Sequence, residues 1–178
     1  DLITRNGIRA VRVDEIAQRL GISKRTLYEM FADKNDLISA CLDDLARRQR
    51  QRIAASRRRR SGNPLQRTLR LANDYIDSLY TVDHSFLADI RRKVLFAEQY
   101  DEHREFWRKE LSLNLEECRG GGLLLSEIDT AALAEQLMST LFELRLNRTT
   151  REELYLLCRT ILRGAATQQG IDLIDRKP

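Results

Sequence analysis

Ser23, Lys24, Arg25, Thr26 and Tyr28 place two hydroxyls, two cations and a phenol within six residues. Such a row offers donors and positive charge to phosphate oxygens and base edges. Bond-making chemistry would need a different constellation. The chain has no His-Glu-x-x-His, no nucleotide-binding glycine motif and no nucleophile elbow. Gly120-Gly121-Gly122 is followed by no Gly-Lys-Ser/Thr, so it reads as a helix stop and not as a phosphate loop. Two histidines, His84 and His103, among so many charged residues make no catalytic site, though either is a polar candidate for a small-molecule pocket. The chain is read as a binding protein and not an enzyme, with no catalytic residues, no metal and no cofactor.

Two short helices must position that row. Ile16, Ala17 and Leu20 recur at helical spacing behind Asp14 and Glu15, acids that suit the positive end of a helix starting near Val13. Gly21 can take the positive φ of a tight turn, Ile22 plugs the turn, and Ser23 is a preferred N-cap for a helix running to about Phe31. Leu27 and Phe31 face inward, four residues apart. Lys24, Arg25, Thr26, Tyr28 and Glu29 then occupy the first turns and the outer face. Those positions reach bases and phosphates when such a helix lies in a major groove.

Gly7, Val13, Glu15-Ile16-Ala17, Leu20 to Lys24, Thr26-Leu27-Tyr28, Phe31, Lys34 and Leu37 resemble the signature of the tetracycline-repressor (TetR) family of bacterial transcription regulators. The resemblance implies an all-α protein, with a helix-turn-helix DNA-binding domain over 1–45 and a helical regulatory and dimerisation domain over 46–178. It further implies a cytoplasmic homodimer that binds an inverted-repeat operator in double-stranded DNA, a repressor, and release by a small-molecule effector. By the same resemblance Thr26 and Tyr28 contact phosphate, Lys24 and Arg25 lie nearest the bases, Lys34 clamps the backbone, and Ser23 caps the reading helix. Met30 and Asp14 depart from the pattern, where a phosphate-binding His and a basic residue are frequent, which implies a weaker phosphate grip. The rival reading is a helical protein–protein interaction module, in which the helix-turn-helix is structural. Residue 1 is read as an interior point of the first helix, because only six residues precede Gly7 and no initiator Met is present.

Charge is divided unevenly. Residues 1–60 hold 15 Lys and Arg against 8 Asp and Glu, a net +7, and the remainder is net −3. Residues 1–36 contribute only 7 against 6, so the excess lies in Arg47, Arg48, Arg50, Arg52 and Arg57 to Arg60, read as a solvated helix end. No apolar run approaches a membrane span. Cys41, Cys118 and Cys158 are odd in number and sit in apolar helical patterns, which favours buried free thiols.

Beyond Ser61-Gly62-Asn63-Pro64 the pattern predicts a helix to about Val82, one capped by Asp83 to about Phe96, and one over about Tyr100 to Arg119. Asp129 and the Thr150-x-x-Glu153 capping box open two more. Leu133, Leu137 and Leu141 on the first of these, with Leu154, Leu157, Ile161 and Ala165 on the second, are candidate dimer contacts or else the core of a monomer. Tyr75, Phe86, Trp107, Met138 and Phe142 are candidate effector-pocket residues or else plain core.

Overall fold

The computed structural model describes residues 12–59, 62–92 and 96–175, without the side chains of 57–59. The expected first helix, Arg57 to Arg60 as a charged surface, and Ser61 therefore lie outside the described residues. Among the described residues the helices are α1 (Val13–Leu20), α2 (Lys24–Met30), α3 (Lys34–Arg59), α4 (Pro64–Tyr80), α5 (His84–Arg91), α6 (Ala97–Gly120), α7 (Thr130–Leu146), α8 (Arg151–Gly164) and α9 (Gln168–Asp175). The fold is all-α. The chain divides into two compact units, 1–54 with 81–103 and 55–80 with 104–178, so α3 and α6 contribute to both.

The first unit buries Ala17, Leu27, Leu37, Ile38, Ile53, Phe86, Leu87 and Ile90. Asp83 caps α5 by accepting from the Ser85 backbone N–H at 2.7 Å and the Ser85 hydroxyl at 2.6 Å, and these bonds hold its carboxyl below the usual carboxylate range. The helix ends at Arg91, short of the expected Phe96, and residues 93–95 lie outside the described residues. Phe96 itself has φ 60, so the backbone cannot be helical there, and α6 starts immediately after it. In the same unit, burial and the Arg50 guanidinium push His103 down to about 4.

In the second unit α4 is the central helix, packed against α8 and α9, while α7 packs against α8. Asn63 caps α4 through the Gln66 N–H at 2.9 Å. Eight α4 side chains are buried, including Thr68, whose hydroxyl donates to the Pro64 carbonyl and lies 3.3 Å from the Cys118 sulfur. Cys118 and Cys158 are buried free thiols, Cys158 pushed up to about 12 by desolvation, and Cys41 is half-buried. The C-terminal end of α4 is tied to the α7–α8 turn. The Tyr80 hydroxyl donates to the Thr149 carbonyl, and the guanidinium carbons of Arg145 and Arg151 lie 4.4 and 5.1 Å from the centre of its ring. Tyr155 donates its hydroxyl to Asp77 on α4, and burial together with that carboxylate raises the phenol to about 12.

The helix α9 was not anticipated. It is only eight residues long, and Gly170 interrupts its apolar period. Thr167, which accepts from the Gly170 N–H at 3.3 Å, was the available signal. The segment before it is stitched to the loop after α6: Leu125 N–H donates to Ala165 O at 3.0 Å and Thr167 N–H to Leu123 O at 3.1 Å, around an antiparallel Leu124–Ala166 bridge. Gly170 lies so close to this stitch that an added Cβ would stand 2.2 Å from the Leu123 carbonyl oxygen.

Two outcomes follow for stability. Helix propensity alone gives Gly170→Ala a gain of about 1 kcal/mol, but a rigid backbone clash costs about 1–3 kcal/mol, so urea denaturation should find the variant less stable. For His103, the unfolded chain takes up a proton below its ordinary value near 6.5, which the folded protein refuses until about 4. Stability therefore falls as pH drops through that window, by up to about 3 kcal/mol. His103→Gln should lose that part of the pH dependence, and an unchanged pH slope would refute the assignment.

Candidate nucleic-acid interface

The geometry of the reading helix is set by the turn before it. Gly21 closes α1 at φ 67, and two backbone bonds lock the turn: Gly21 N–H to Gln18 O at 3.2 Å and Ile22 N–H to Ala17 O at 3.1 Å. Ser23 then caps α2. Its hydroxyl oxygen accepts from the Thr26 N–H at 3.0 Å and lies 2.9 Å from the Thr26 hydroxyl. Downstream, Asp33 accepts from the Asp36 N–H at 2.9 Å while the Asp36 carboxylate accepts from the Ala32 N–H at 3.0 Å. This reciprocal cap places Lys34 at the first position of α3.

Packing decides which way α2 faces. Leu27 is buried, whereas Ser23, Lys24, Arg25, Thr26 and Tyr28 are all exposed, and Lys34 is half-buried. Lys24 and Arg25 are both engaged by carboxylates. The Lys24 ammonium lies 2.9 Å from the Asp14 carboxylate, a hydrogen bond that raises the lysine's pKa, and Arg25 Nε donates to Glu29 at 3.1 Å. The second pair follows from i,i+4 spacing. The first was missed, because it joins two helices across the turn and no periodicity reports it. Leu20 also departs from expectation: it belongs to the apolar stripe by spacing but is 60 % exposed, and Ala17 carries the burial instead.

Residues 1–41 match the model of bacterial regulatory proteins of the tetR family. The match lies within the first 41 of the 178 residues. Solved structures of the same fold include a transcriptional regulator from Saccharomonospora viridis in complex with choline, at TM-score 0.79 and 18 % identity over 93 % of this chain and 91 % of that one. A protein described as a TetR-family transcriptional regulator from Rhodococcus sp. has TM-score 0.74 and 18 % identity, over 92 % of each chain. The TetR-family regulator PfmR from Thermus thermophilus has TM-score 0.64 and 22 % identity, over 91 % of this chain and 93 % of that one. No curated protein matches in sequence.

The remaining sequence candidates fall in several places. Tyr75, Trp107 and Met138 come together in the second unit: the Tyr75 and Trp107 rings meet edge-on at 5.5 Å, and the Tyr75 hydroxyl donates to the Met138 carbonyl at 3.3 Å. Phe142 is buried in the same unit, and Phe86 is in the core of the other. Of the candidate dimer contacts, Leu137, Leu141, Leu154 and Ala165 are buried by the protomer itself, so they have little surface to offer a partner. Leu133, Leu157 and Ile161 are half-buried, and Leu156 is 66 % exposed. No group of three or more potential metal ligands occurs among the described residues, and no described helix is long and apolar enough to cross a membrane.

Removing the cap should loosen α2 first. Ser23→Ala is expected to cost about 1 kcal/mol and to speed hydrogen exchange at the Thr26 amide, and Ser23→Asp to restore both. Unchanged exchange in the alanine variant would show that the cap does not hold the helix.

Proposed function

We propose that this chain is a regulator of the TetR family, a homodimeric repressor that lays α2 in the major groove of an inverted-repeat operator. The observation that carries the proposal is the exposed row Ser23, Lys24, Arg25, Thr26 and Tyr28, presented by a helix capped at one end and anchored inward by Leu27. In this reading Thr26, Tyr28 and Lys34 hold phosphates, Lys24 and Arg25 face bases, and Ser23 keeps the helix N-terminus in register. Residues 1–45 form the DNA-binding domain, and 46–178 serve regulation and dimerisation.

Two recognition helices about 34 Å apart read successive major grooves on one face of a duplex, and a two-fold axis matches them to an inverted repeat. The dimer contact assigned to α7 and α8 is their outward side, with Leu133, Leu156, Leu157 and Ile161. Leu137, Leu141, Leu154 and Ala165 stiffen that contact from behind. Gly164 supports the reading, since a Cβ there meets nothing within 4 Å and a partner helix could approach closely. An effector in the second unit, among Tyr75, Trp107, Met138 and Phe142, would lower operator affinity by favouring a dimer with the wrong spacing. The choline complex of the Saccharomonospora viridis protein supports the idea that this fold accommodates small molecules.

Selection of the full-length protein from a random duplex library at two salt concentrations tests the proposal. Recovery of an inverted repeat, with affinity that falls steeply as salt rises, is the expected result. A folded protein that selects no duplex would instead favour the interaction-module reading. On the selected site, Tyr28→Phe with Lys34→Ala should weaken binding to all sequences. Lys24→Ala or Arg25→Ala should also relax base preference, by about 1–3 kcal/mol per lost base contact.

A further inference from the structure

We infer that Asp14 holds Lys24 back from phosphates and thereby limits how tightly the protein grips DNA of arbitrary sequence, an inference that rests on the DNA-binding reading above. The Lys24 ammonium and the Asp14 carboxylate are 2.9 Å apart, with side chains 54 % and 68 % exposed. A pair so open to water contributes little to folding. Its consequence falls on whatever approaches Lys24.

The surrounding charge makes that consequence large. Residues 12–36 hold five cations and five carboxylates, so the described helix-turn-helix segment has no net positive charge to attract a duplex. Attraction must come from individual cations. Lys24 and Arg25 stand in the first turn of α2, and both have a carboxylate partner. The two partners are not equivalent. Glu29 shares a helix with Arg25, whose side chain is 89 % exposed and can swing away. Asp14 belongs to α1, which the locked Gly21–Ile22 turn fixes against α2, so its carboxylate cannot follow Lys24 outward. A phosphate drawn to Lys24 therefore meets a negative charge held within a few ångströms. By residue type Asp14 is a favourable first-turn acid for α1, and by the family resemblance a departure that implies a weaker phosphate grip. The geometry adds a role as a positioning residue for Lys24.

The test is binding of a mixed-sequence duplex by the full chain across a salt series. Asp14→Asn should bind about fivefold tighter at low salt, and its plot of log affinity against log salt should steepen by about one. Asp14→Ser, which keeps a hydrogen-bonding group in the first turn of α1, should do the same and guards against a folding defect in the first variant. Glu127→Gln makes the same charge change at an exposed loop position of the other unit, and should alter affinity by less than about twofold. If Asp14→Asn and Asp14→Ser, folded by circular dichroism, match Glu127→Gln, Asp14 has no such role and DNA binding stands. If the unmodified protein shows no salt-dependent duplex binding, the DNA-binding reading itself fails and takes this inference with it.

Discussion

The turn from Gly21 to Ser23 is the constraint on which the reading helix depends. A left-handed residue ends α1, two backbone bonds close the turn, and a serine hydroxyl opens α2 within two residues. Each step satisfies backbone groups that would otherwise be orphaned at a helix end. Because α2 is only seven residues long, it has little stability of its own. Its orientation comes from the cap at one end and Leu27 in the middle. The exposed cations and hydroxyls have a defined direction only because those two anchors do.

Electrostatics in this segment are local. Five cations and five carboxylates over 12–36 cancel at a distance, and the paired charges Lys24 with Asp14 and Arg25 with Glu29 cancel at contact. Short-range geometry then governs which charges a phosphate would feel, since a field without net sign decays quickly in salt. The positive excess of the front half lies further along the sequence, among Arg47, Arg48, Arg50, Arg52 and Arg57 to Arg60. There Asp44 pairs with Arg47 and Arg48. Net charge is consequently a poor guide to this interface.

In the second unit the same helices face two ways. The inward sides of α7 and α8, including Ala134, Leu137, Leu141, Leu154, Cys158 and Leu162, are consumed by the protomer. The Tyr80–Arg cluster ties α7 and α8 to α4, the Tyr75–Trp107 ring contact ties α4 to α6, and the Leu124–Ala166 stitch holds the segment before α9. Leu156 and its half-buried neighbours remain outside. An apolar period wider than one face is what a helix with two packing surfaces requires.

Local chemistry was sufficient for the turn at Gly21, the caps at Ser23, Asn63, Asp83, Asp129 and Thr150, and the all-helical class, since each depends on residues within a few positions of one another. The row Lys24, Arg25, Thr26 and Tyr28 was legible for the same reason: once Leu27 faces inward, the helical period puts its neighbours outside. The C-terminal end of α5 and the existence of α9 were not legible. Phe96 adopts a backbone that its type disfavours, and the short α9 is held by Gly170 against Leu123 from a loop far away in sequence. Nor could periodicity divide the leucines of α7 and α8 between core and surface, because it says that a face is apolar without saying what covers it. The Asp14–Lys24 pair belongs with these. It joins two helices whose relative placement is a product of packing, and only the folded chain brings those charges to 2.9 Å.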